Sequence, residues 1–500
     1  MKLLALRLCA HDSNVTYFDG EKLRYKCHER DFQVKHFGFE GIYGWVRILE
    51  EWDISPNEID AIGIVMDTHI HNEVYCEPEK IEENIEIPIF RDLGFICPIH
   101  RIDHHYAHSL SFWPLGIEPN LHFVLDGFGD DWMYRSVWRD NKLIDSSKSN
   151  GQSIYTSSSL GFILTRVGAL LQMQGNYLDQ AGKIMALKAF GSLGHPEVPY
   201  VEDIDEINKL WDFDVLESHI EDQQYVVDYI ATAHERTEEV YLRHFRQFVQ
   251  EGDIIGYSGG IAQNTIINKV LKDNFPSLVI PPHANDQGLS LGVIEYLRRY
   301  YNLDKFDKSG FPFWQEDESV LRPSKETIRS TAEHLAQGKI VGWYQGHGEI
   351  GPRALGNRSI LMNPFDPHGK DILNNKVKHR EPFRPFGASV KEEKVSQYFY
   401  WNGPSPYMLY VTDVLEPERL PSITHADGTC RIQTVSKSQE DYYALLDEYE
   451  KLTGVPVLLN TSLNNGGRPI AGRVTDALEL YYKTDLDVLV HGDTVKVKSL

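Results

Sequence analysis

The sequence predicts an α/β protein, and three observations carry the prediction. The chain opens with Leu3 to Leu8, Val15 to Phe18 and Lys22 to Lys26, which read as short strands joined by turns, with Asp19-Gly20 as a hairpin signal. Helical and strand periodicities then alternate: a helix from Ile42 to Trp52, the apolar strand Ala61 to Met66, a helix around Ile102 to Trp113, and antiparallel strands from Trp132 to Trp138 and Leu143 to Ser147. Farther on, the strand Ile254 to Tyr257 runs through a tight Ser258-Gly259-Gly260 turn into a helix ending near Leu271. Asp286 precedes a helix from Leu289 to Tyr301, and the C-terminal part repeats the alternation with a helix over Lys325 to Ala336 and a strand over Ile340 to Tyr344.

The 500 residues leave room for two large domains or three. With 41% hydrophobic and 25% charged residues, the chain has the composition of a globular protein, not a disordered one. Fifty basic residues stand against 73 acidic ones, a balance of -23, so a polyanionic partner would have to meet a local basic surface. Cys9, Cys27, Cys76, Cys97 and Cys430 show no paired spacing and fit reduced thiols in a cytoplasm. The apolar start is too short for a signal segment and is interrupted by Arg7, so it reads as a core strand. No run approaches the roughly 20 apolar residues of a membrane span, and a soluble, cytoplasmic protein is expected. No repeat of solenoid period is visible. A composition shift between Asn302 and Pro323 sets the expected boundary between residues 1–310 and 325–500.

His104 and His108 lie four apart, one turn from each other on a helix face, which is a metal-ligand spacing. Asp126 ends the apolar strand Phe123-Val-Leu, with Gly127 after it, and Asp286 sits at another strand end from which it could complete a ligand set across a cleft. Two imidazoles and carboxylates suit a transition metal such as Fe or Zn, with positions left open for substrate. His11-Asp12-Ser13-Asn14, after the first strand, fits either a phosphate-holding hairpin or a plain turn. The loop holding Glu29-Arg30 and Lys35-His36 is solvated by default. Gly182-Lys183 opens a helix whose lysine could meet phosphate, and the amides after Gly259-Gly260 would point outward at a helix N-terminus. In so acidic a chain, Arg353, Arg358, Lys376, Lys378, Arg380 and Arg384 mark an anion site, because guanidinium forks pair with phosphate oxygens. Loops around Arg431 and around Asn460 and Ser462 add hydrogen-bonding groups after strands.

These motifs, in this order, resemble the O-carbamoyltransferases of the NodU/CmcH type, and the likeness runs nearly end to end. The resemblance rests on His11-Asp12-Ser13, His104-His105-Tyr-Ala-His108, Asp126-Gly127, Ser258-Gly259-Gly260-Ile-Ala-Gln-Asn264, Gly351-Pro-Arg-Ala-Leu-Gly-Asn-Arg-Ser359, and the arginine-rich run from Lys376 to Phe386. It implies a two-lobed actin-like domain of the sugar-kinase type followed by a YrdC-like α/β domain. It also implies that carbamoyl phosphate and Mg-ATP give carbamoyl-adenylate and pyrophosphate, after which the carbamoyl group passes to an acceptor hydroxyl.

By match to the motifs, His104, His108, Asp126 and Asp286 would hold a divalent metal, iron first, with manganese or zinc as alternatives. Gly127, Lys183, Gly259, Gly260 and Asn264 would face the nucleotide. His11, Asp12 and Lys35 would lie at the transferred group. Arg353, Arg358, Lys376, Arg380, Arg384, Arg431, Asn460 and Ser462 would take carbamoyl phosphate or the adenylate. Two separate pockets joined by a closed passage are expected. Acceptors in view are a natural product, a sugar, or a hydroxymethylated base in nucleic acid such as 5-hydroxymethylcytosine; no membrane partner is expected, and a homodimer is one option. The competing readings are a tRNA threonylcarbamoyl-type modifier and a non-catalytic nucleotide-binding regulator. The chain departs from the family pattern at Ala10 and Arg468, where glycine and glutamate are usual, and the stretch from Gly191 to Asp222 is the expected acceptor wall.

Overall fold

In a computed structural model, the described residues are 1–8, 11–38, 46–66, 84–85, 87–149, 157–316 and 320–498. Cys9, Ala10, Cys76 and the first turn of the expected helix from Ile42 lie outside them. The opening segment is fully buried strand, because Leu3, Leu4, Leu6 and Leu8 pack on both faces of a sheet. That strand, β1 (Leu3–Leu8), is the centre of five, with β2 (Asn14–Phe18), β3 (Leu23–Cys27), β4 (Ala61–Met66) and β5 (Ile99–Arg101). Their order is β3-β2-β1-β4-β5; β1 to β3 form an antiparallel meander, and β4 and β5 run parallel to β1.

The same pattern then recurs. Strands β6 (Leu121–Leu125), β7 (Met133–Arg139), β8 (Lys142–Lys148), β9 (Ile255–Ser258) and β10 (Leu278–Val279) assemble as β8-β7-β6-β9-β10, again a meander followed by two parallel strands. Two sheets of identical strand order make this part of the chain an actin-like, two-lobed α/β fold. Each lobe sends a helix into the space between them: His104–Leu110 follows β5, and Leu289–Tyr300 follows β10. Their backbones come close because position 292 is glycine; a Cβ there would stand 1.8 Å from the Ala107 carbonyl oxygen.

A third sheet follows, with β11 (Val341–Tyr344), β12 (Arg358–Met362), β13 (Gly387–Lys391), β14 (Tyr410–Asp413), β15 (Thr429–Val435), β16 (Val457–Ser462), β17 (Val488–His491) and β18 (Thr494–Val497). It is mixed, in the order β14-β15-β13-β16-β12-β11-β17-β18, with helices Lys325–Ala336 and Glu440–Thr453 packed on it. Among the described residues no helix is long and apolar enough to cross a membrane, and Cys27, Cys97 and Cys430 are free thiols.

The segment after Asn302 does more than separate the two parts. Gln315 bridges to Tyr25 of β3 on one side and to Gly348 on the other, and its Oε1 accepts from the Cys27 amide. The Glu29-Arg30 stretch is not a solvated loop: it is the short helix His28–Phe32, and the buried Arg30 donates to the Glu349 and Gly351 carbonyls at 2.5 and 2.6 Å. A charge at this junction is satisfied only by backbone from the C-terminal part. Arg30→Met is therefore expected to leave two carbonyls without their donor and to cost about 2–3 kcal/mol. The urea-unfolding midpoint should fall by a corresponding amount; an unchanged midpoint would show that the contact carries no stability.

Candidate active site

Asp126 stands at the end of β6 as the His11-Asp12 turn stands at the end of β1, so the two lobes deliver polar side chains from equivalent strand ends. The helix after β5 carries His104 and His108 on one face, with the Asp103 side chain capping it by accepting from the Tyr106 amide at 2.9 Å. From the other lobe, Asp286 comes from the turn that leads into Leu289–Tyr300. The ligating atoms of His104, His108, Asp126 and Asp286 all lie within 4.8 Å of one another, and all four residues are buried.

His104 Nε2 is 2.9 Å from Asp126 Oδ2 and 3.4 Å from Asp286 Oδ1, and His108 Nε2 is 3.4 Å from an oxygen of each carboxylate. Among the described residues neither ring nitrogen of His108 has a hydrogen-bond partner, which is costly for a buried imidazole. Two buried carboxylates side by side, two imidazoles and an orphaned nitrogen fit a divalent cation of the Fe, Mn or Zn kind.

The surrounding residues fix this arrangement. Burial and the charge of Asp286 push the Asp126 carboxyl up, and His104 and His108 more than offset them, so it is held well below the usual carboxylate range. Its Oδ1 accepts from the Gly127 and Gly260 amides, both at 2.8 Å, which leaves Oδ2 for the imidazoles. Arg7, a residue that looked like an interruption of a strand, donates to Asp286 Oδ2 at 2.8 Å in the buried interior. Asn14 Nδ2 donates to the Asp286 carbonyl, so the first turn props up the candidate ligand quartet through Asn14.

His11 Nδ1 contacts Asp12 Oδ2 at 3.1 Å, and Asp12 in turn contacts His36 Nδ1 at 3.1 Å. His36 Nε2 reaches Asp179 at 3.2 Å, and Lys35 donates to the same carboxylate. Burial disfavours the charged imidazolium of His36, yet Asp12 and Asp179 raise it to about 10. Asp12, Glu29 and His36 also converge within 4.8 Å; the Glu29 carboxylate is engaged by the His36 amide. Glu29 and His36 were read only as part of a charged loop, and Asp179, which sits in a short turn that carries no motif, was not singled out.

All of these groups border one cavity of about 560 Å³, which also receives Arg353, Arg380, Arg384 and Arg431. The expected pair of separate pockets is thus a single space with a carboxylate-rich end and a guanidinium-rich end. Burial, then the charges of Arg431 and Arg384, hold Arg353 well below the ordinary guanidinium value, and burial brings Arg431 down to about 10. Arg380 stacks on Phe386 at 4.4 Å and is lowered in the same way. Glu381 lies beside this cluster, 3.8 Å from Arg384 and 2.5 Å from Lys183. Packed cations of this kind have the chemistry to pair with an anion.

Several expected site residues point elsewhere. Arg358 is buried beneath the cavity, stacked on Tyr344 at 3.5 Å and donating to the Gln345, Gly346 and Asn357 carbonyls. Lys376 is exposed; its neighbour Lys378 turns inward and donates to the Ser462 and Asn464 carbonyls, both at 2.8 Å. Asn460 joins Ser389 and Gln433 within the sheet, whereas Ser462 does reach the cavity wall.

The residues expected at the nucleotide have these surroundings. Lys183 is held by the Gln174 carbonyl and Glu381. Gly259, at φ +93°, is glycine because a Cβ would meet the Leu125 carbonyl oxygen at 2.2 Å, and Gly260 because one would meet Asp126 Oδ1 at 2.8 Å. Asn264 lines the cavity, and its side chain caps the helix Thr265–Asn274, accepting from the Ile266 and Ile267 amides. Gly127 lies on the wall. In the stretch 191–222, Val198, Ile207, Leu210 and Trp211 belong to the core, whereas residues between 160 and 185 line the cavity.

Fold and cavity together define an actin-like protein with a candidate metal centre. Residues 332–498 match the family described as Carbamoyltransferase C-terminus. The chain is 31% identical over 435 residues to the nodulation protein NolO of Bradyrhizobium diazoefficiens, covering 78% of each. It is 30% identical over 444 residues to the nodulation protein NolNO of Sinorhizobium fredii, an alignment that takes in 79% of this chain and 63% of that protein's length. To the 3'-hydroxymethylcephem-O-carbamoyltransferase of Amycolatopsis lactamdurans it is 33% identical over 340 residues, 63% of this chain and 65% of the relative. The chain belongs to the O-carbamoyltransferase family of the NodU/CmcH type.

The donor set predicts one divalent metal per chain after reconstitution with Fe(II), Mn(II) or Zn(II), read by elemental analysis. Asp286→Ala should abolish stoichiometric binding, and Arg7→Met, which frees Asp286 to turn, should weaken it about 10–100-fold. Full metal content in Asp286→Ala would remove the quartet as the binding site.

Proposed function

We propose that this protein is an ATP-dependent O-carbamoyltransferase that makes and uses carbamoyl-adenylate within one cavity. The observation that supports this most is the placing of the arginine cluster and of Asp126 and Asp286, the two carboxylates of the metal-ligand quartet, on the walls of the same space. Carbamoyl phosphate is a small dianion and ATP a larger polyanion, so neither approaches the other without fixed cations; Arg353, Arg380, Arg384 and Arg431 supply them. In balance, water cleaves carbamoyl phosphate to carbamate and orthophosphate. A carbamate oxygen then attacks the α-phosphorus of ATP, and pyrophosphate leaves. The acceptor's hydroxyl oxygen finally attacks the carbamoyl carbon, and AMP leaves with the bonding pair.

The second half belongs to the opposite end of the cavity. His104, His108, Asp126 and Asp286 would hold the metal, whose contribution when bound is to draw charge from an oxygen of the reacting group. His11, whose Nδ1 meets Asp12 Oδ2, would take the proton of the incoming alcohol. Asp12, fixed on its other side by His36, holds the ring in that orientation. Because the two ends share walls, the adenylate need not cross bulk water.

Exchange of labelled pyrophosphate into ATP, dependent on carbamoyl phosphate and independent of acceptor, tests the first half. Arg353→Ala should lower that exchange by about 10²–10³-fold, while His11→Ala should instead block carbamate formation on an alcohol acceptor. Absence of any exchange in the metal-loaded wild-type protein would end this reading.

A further inference from the structure

Asn264 stands on the cavity wall at the seam between its two ends. In the turn that leads to it, the Gly260 amide donates to Asp126 Oδ1 at 2.8 Å, and the Gln263 carbonyl accepts from Arg353 Nη2 at 3.1 Å. An anion that extends from the arginines toward the carboxylates passes this seam, so the polarity shown there matters. A carboxamide can show either sign: its NH2 group attracts an anionic oxygen and its carbonyl repels one.

Buried groups behind the wall decide which sign is shown. Asn264 Oδ1 accepts from the Ile266 and Ile267 amides, both at 3.2 Å, so the nitrogen is the terminus that meets His234 Nε2, at 3.0 Å. His234 is fully buried in the helix Gln223–Phe248. Its Nδ1 meets Glu238 Oε1 at 2.7 Å, and Lys188 donates to the same carboxylate. Burial pushes the Glu238 carboxyl up, but His234 and Lys188 more than offset this and hold it below its usual value. A carboxylate only accepts, so the ring hydrogen sits on Nδ1 and Nε2 is left as the acceptor that the Asn264 nitrogen needs. Burial lowers His234 by more than Glu238 raises it, which keeps the ring neutral. One hydrogen of the Asn264 nitrogen goes to His234; the other is the polar function that this side chain has left for a ligand. A ring with its hydrogen on Nε2 would set N–H against NH2 and turn the carboxamide over.

Resting on the carbamoyl-transfer reading above, we propose that His234 is a positioning residue. Held in one tautomer by Glu238, it fixes the Asn264 carboxamide so that an N–H, and not the carbonyl, is offered to a phosphate oxygen of ATP. The test is calorimetric titration of the full-length, metal-loaded protein with magnesium α,β-methylene-ATP, which resists cleavage at the adenylating bond, in the absence of carbamoyl phosphate and acceptor.

His234→Leu should weaken binding about tenfold, the loss expected for a hydrogen bond to a charged oxygen. His234→Gln, whose Oε1 stands in for Nε2 as acceptor, should restore it. Glu238→Gln keeps its shape but releases the tautomer, and should also weaken binding; it reads the same point if His234→Leu does not fold. Asn264→Ala should lose as much as His234→Leu, and the double variant no more than either, because His234 acts through Asn264. Additive losses would overturn the proposal, as would unchanged affinity in both His234→Leu and Glu238→Gln, or a His234→Gln no better than His234→Leu. So would a loss found only when carbamoyl phosphate is titrated in place of the nucleotide. If the wild type binds the analogue in this pattern yet shows no pyrophosphate exchange, the carbamoyl-adenylate reading falls and the role of His234 stands.

Discussion

The Asp126 carboxylate is the point on which the rest of the molecule turns. One of its oxygens accepts from two backbone amides, of Gly127 and Gly260, and so fastens the end of β6 to the glycine turn after β9. The other oxygen faces His104, and through it the helix that follows β5 in the opposite lobe. A buried carboxylate with one oxygen spoken for by backbone is held against its imidazole neighbours, so this side chain helps tie the two lobes together. Asp286 is constrained in the same spirit by Arg7 and Asn14, both from the first lobe. The interior thereby holds two carboxylates and two imidazoles in contact, an arrangement whose electrostatics call for a cation.

The cationic end is built on the reverse principle. Arg353, Arg380, Arg384 and Arg431 come from loops and strands of the third sheet, and burial together with mutual repulsion lowers Arg353, Arg380 and Arg431. A bound dianion relieves that repulsion, just as a dication relieves the opposite one. Facing ends of opposite charge on one cavity separate two jobs in space without separating them by solvent. Arg30 and Gln315 keep the ends in register by binding the first lobe to the backbone near Gly348 and Gly351.

Much of this was legible in the residues. The four-residue spacing of His104 and His108, the strand-end position of Asp126 and the Asp286 turn pointed to the quartet, and burial of the apolar runs gave β1, β4 and the helix Lys325–Ala336 with their bounds. The lobe duplication was not legible, because what repeats is strand order and direction while the side chains of β1–β5 and β6–β10 differ. The arginines could be counted but not aimed. Arg353 sits in a loop and faces the cavity, while Arg358 opens β12 and turns under Tyr344, a difference set by sheet register and not by spacing. Gly259 and Gly260 looked like a phosphate turn, yet their lack of side chains is required by Leu125 and Asp126, and Asn264 spends its side chain on capping. Arg468 does reach the wall, where it pairs with Glu479.

Sharing of one enclosed space makes a demand on how the activated carbamoyl group travels, and a trapping experiment meets it directly. With carbamoyl phosphate labelled at carbon, ATP, the metal-loaded protein and a competent alcohol, millimolar hydroxylamine is added as a competing nucleophile and hydroxyurea is measured against the carbamate ester. Transfer inside the cavity predicts ester with hydroxyurea no higher than in the enzyme-free control. Hydroxyurea rising with hydroxylamine at the expense of ester would mean that the intermediate escapes to solvent, and that the two ends do not work as one site.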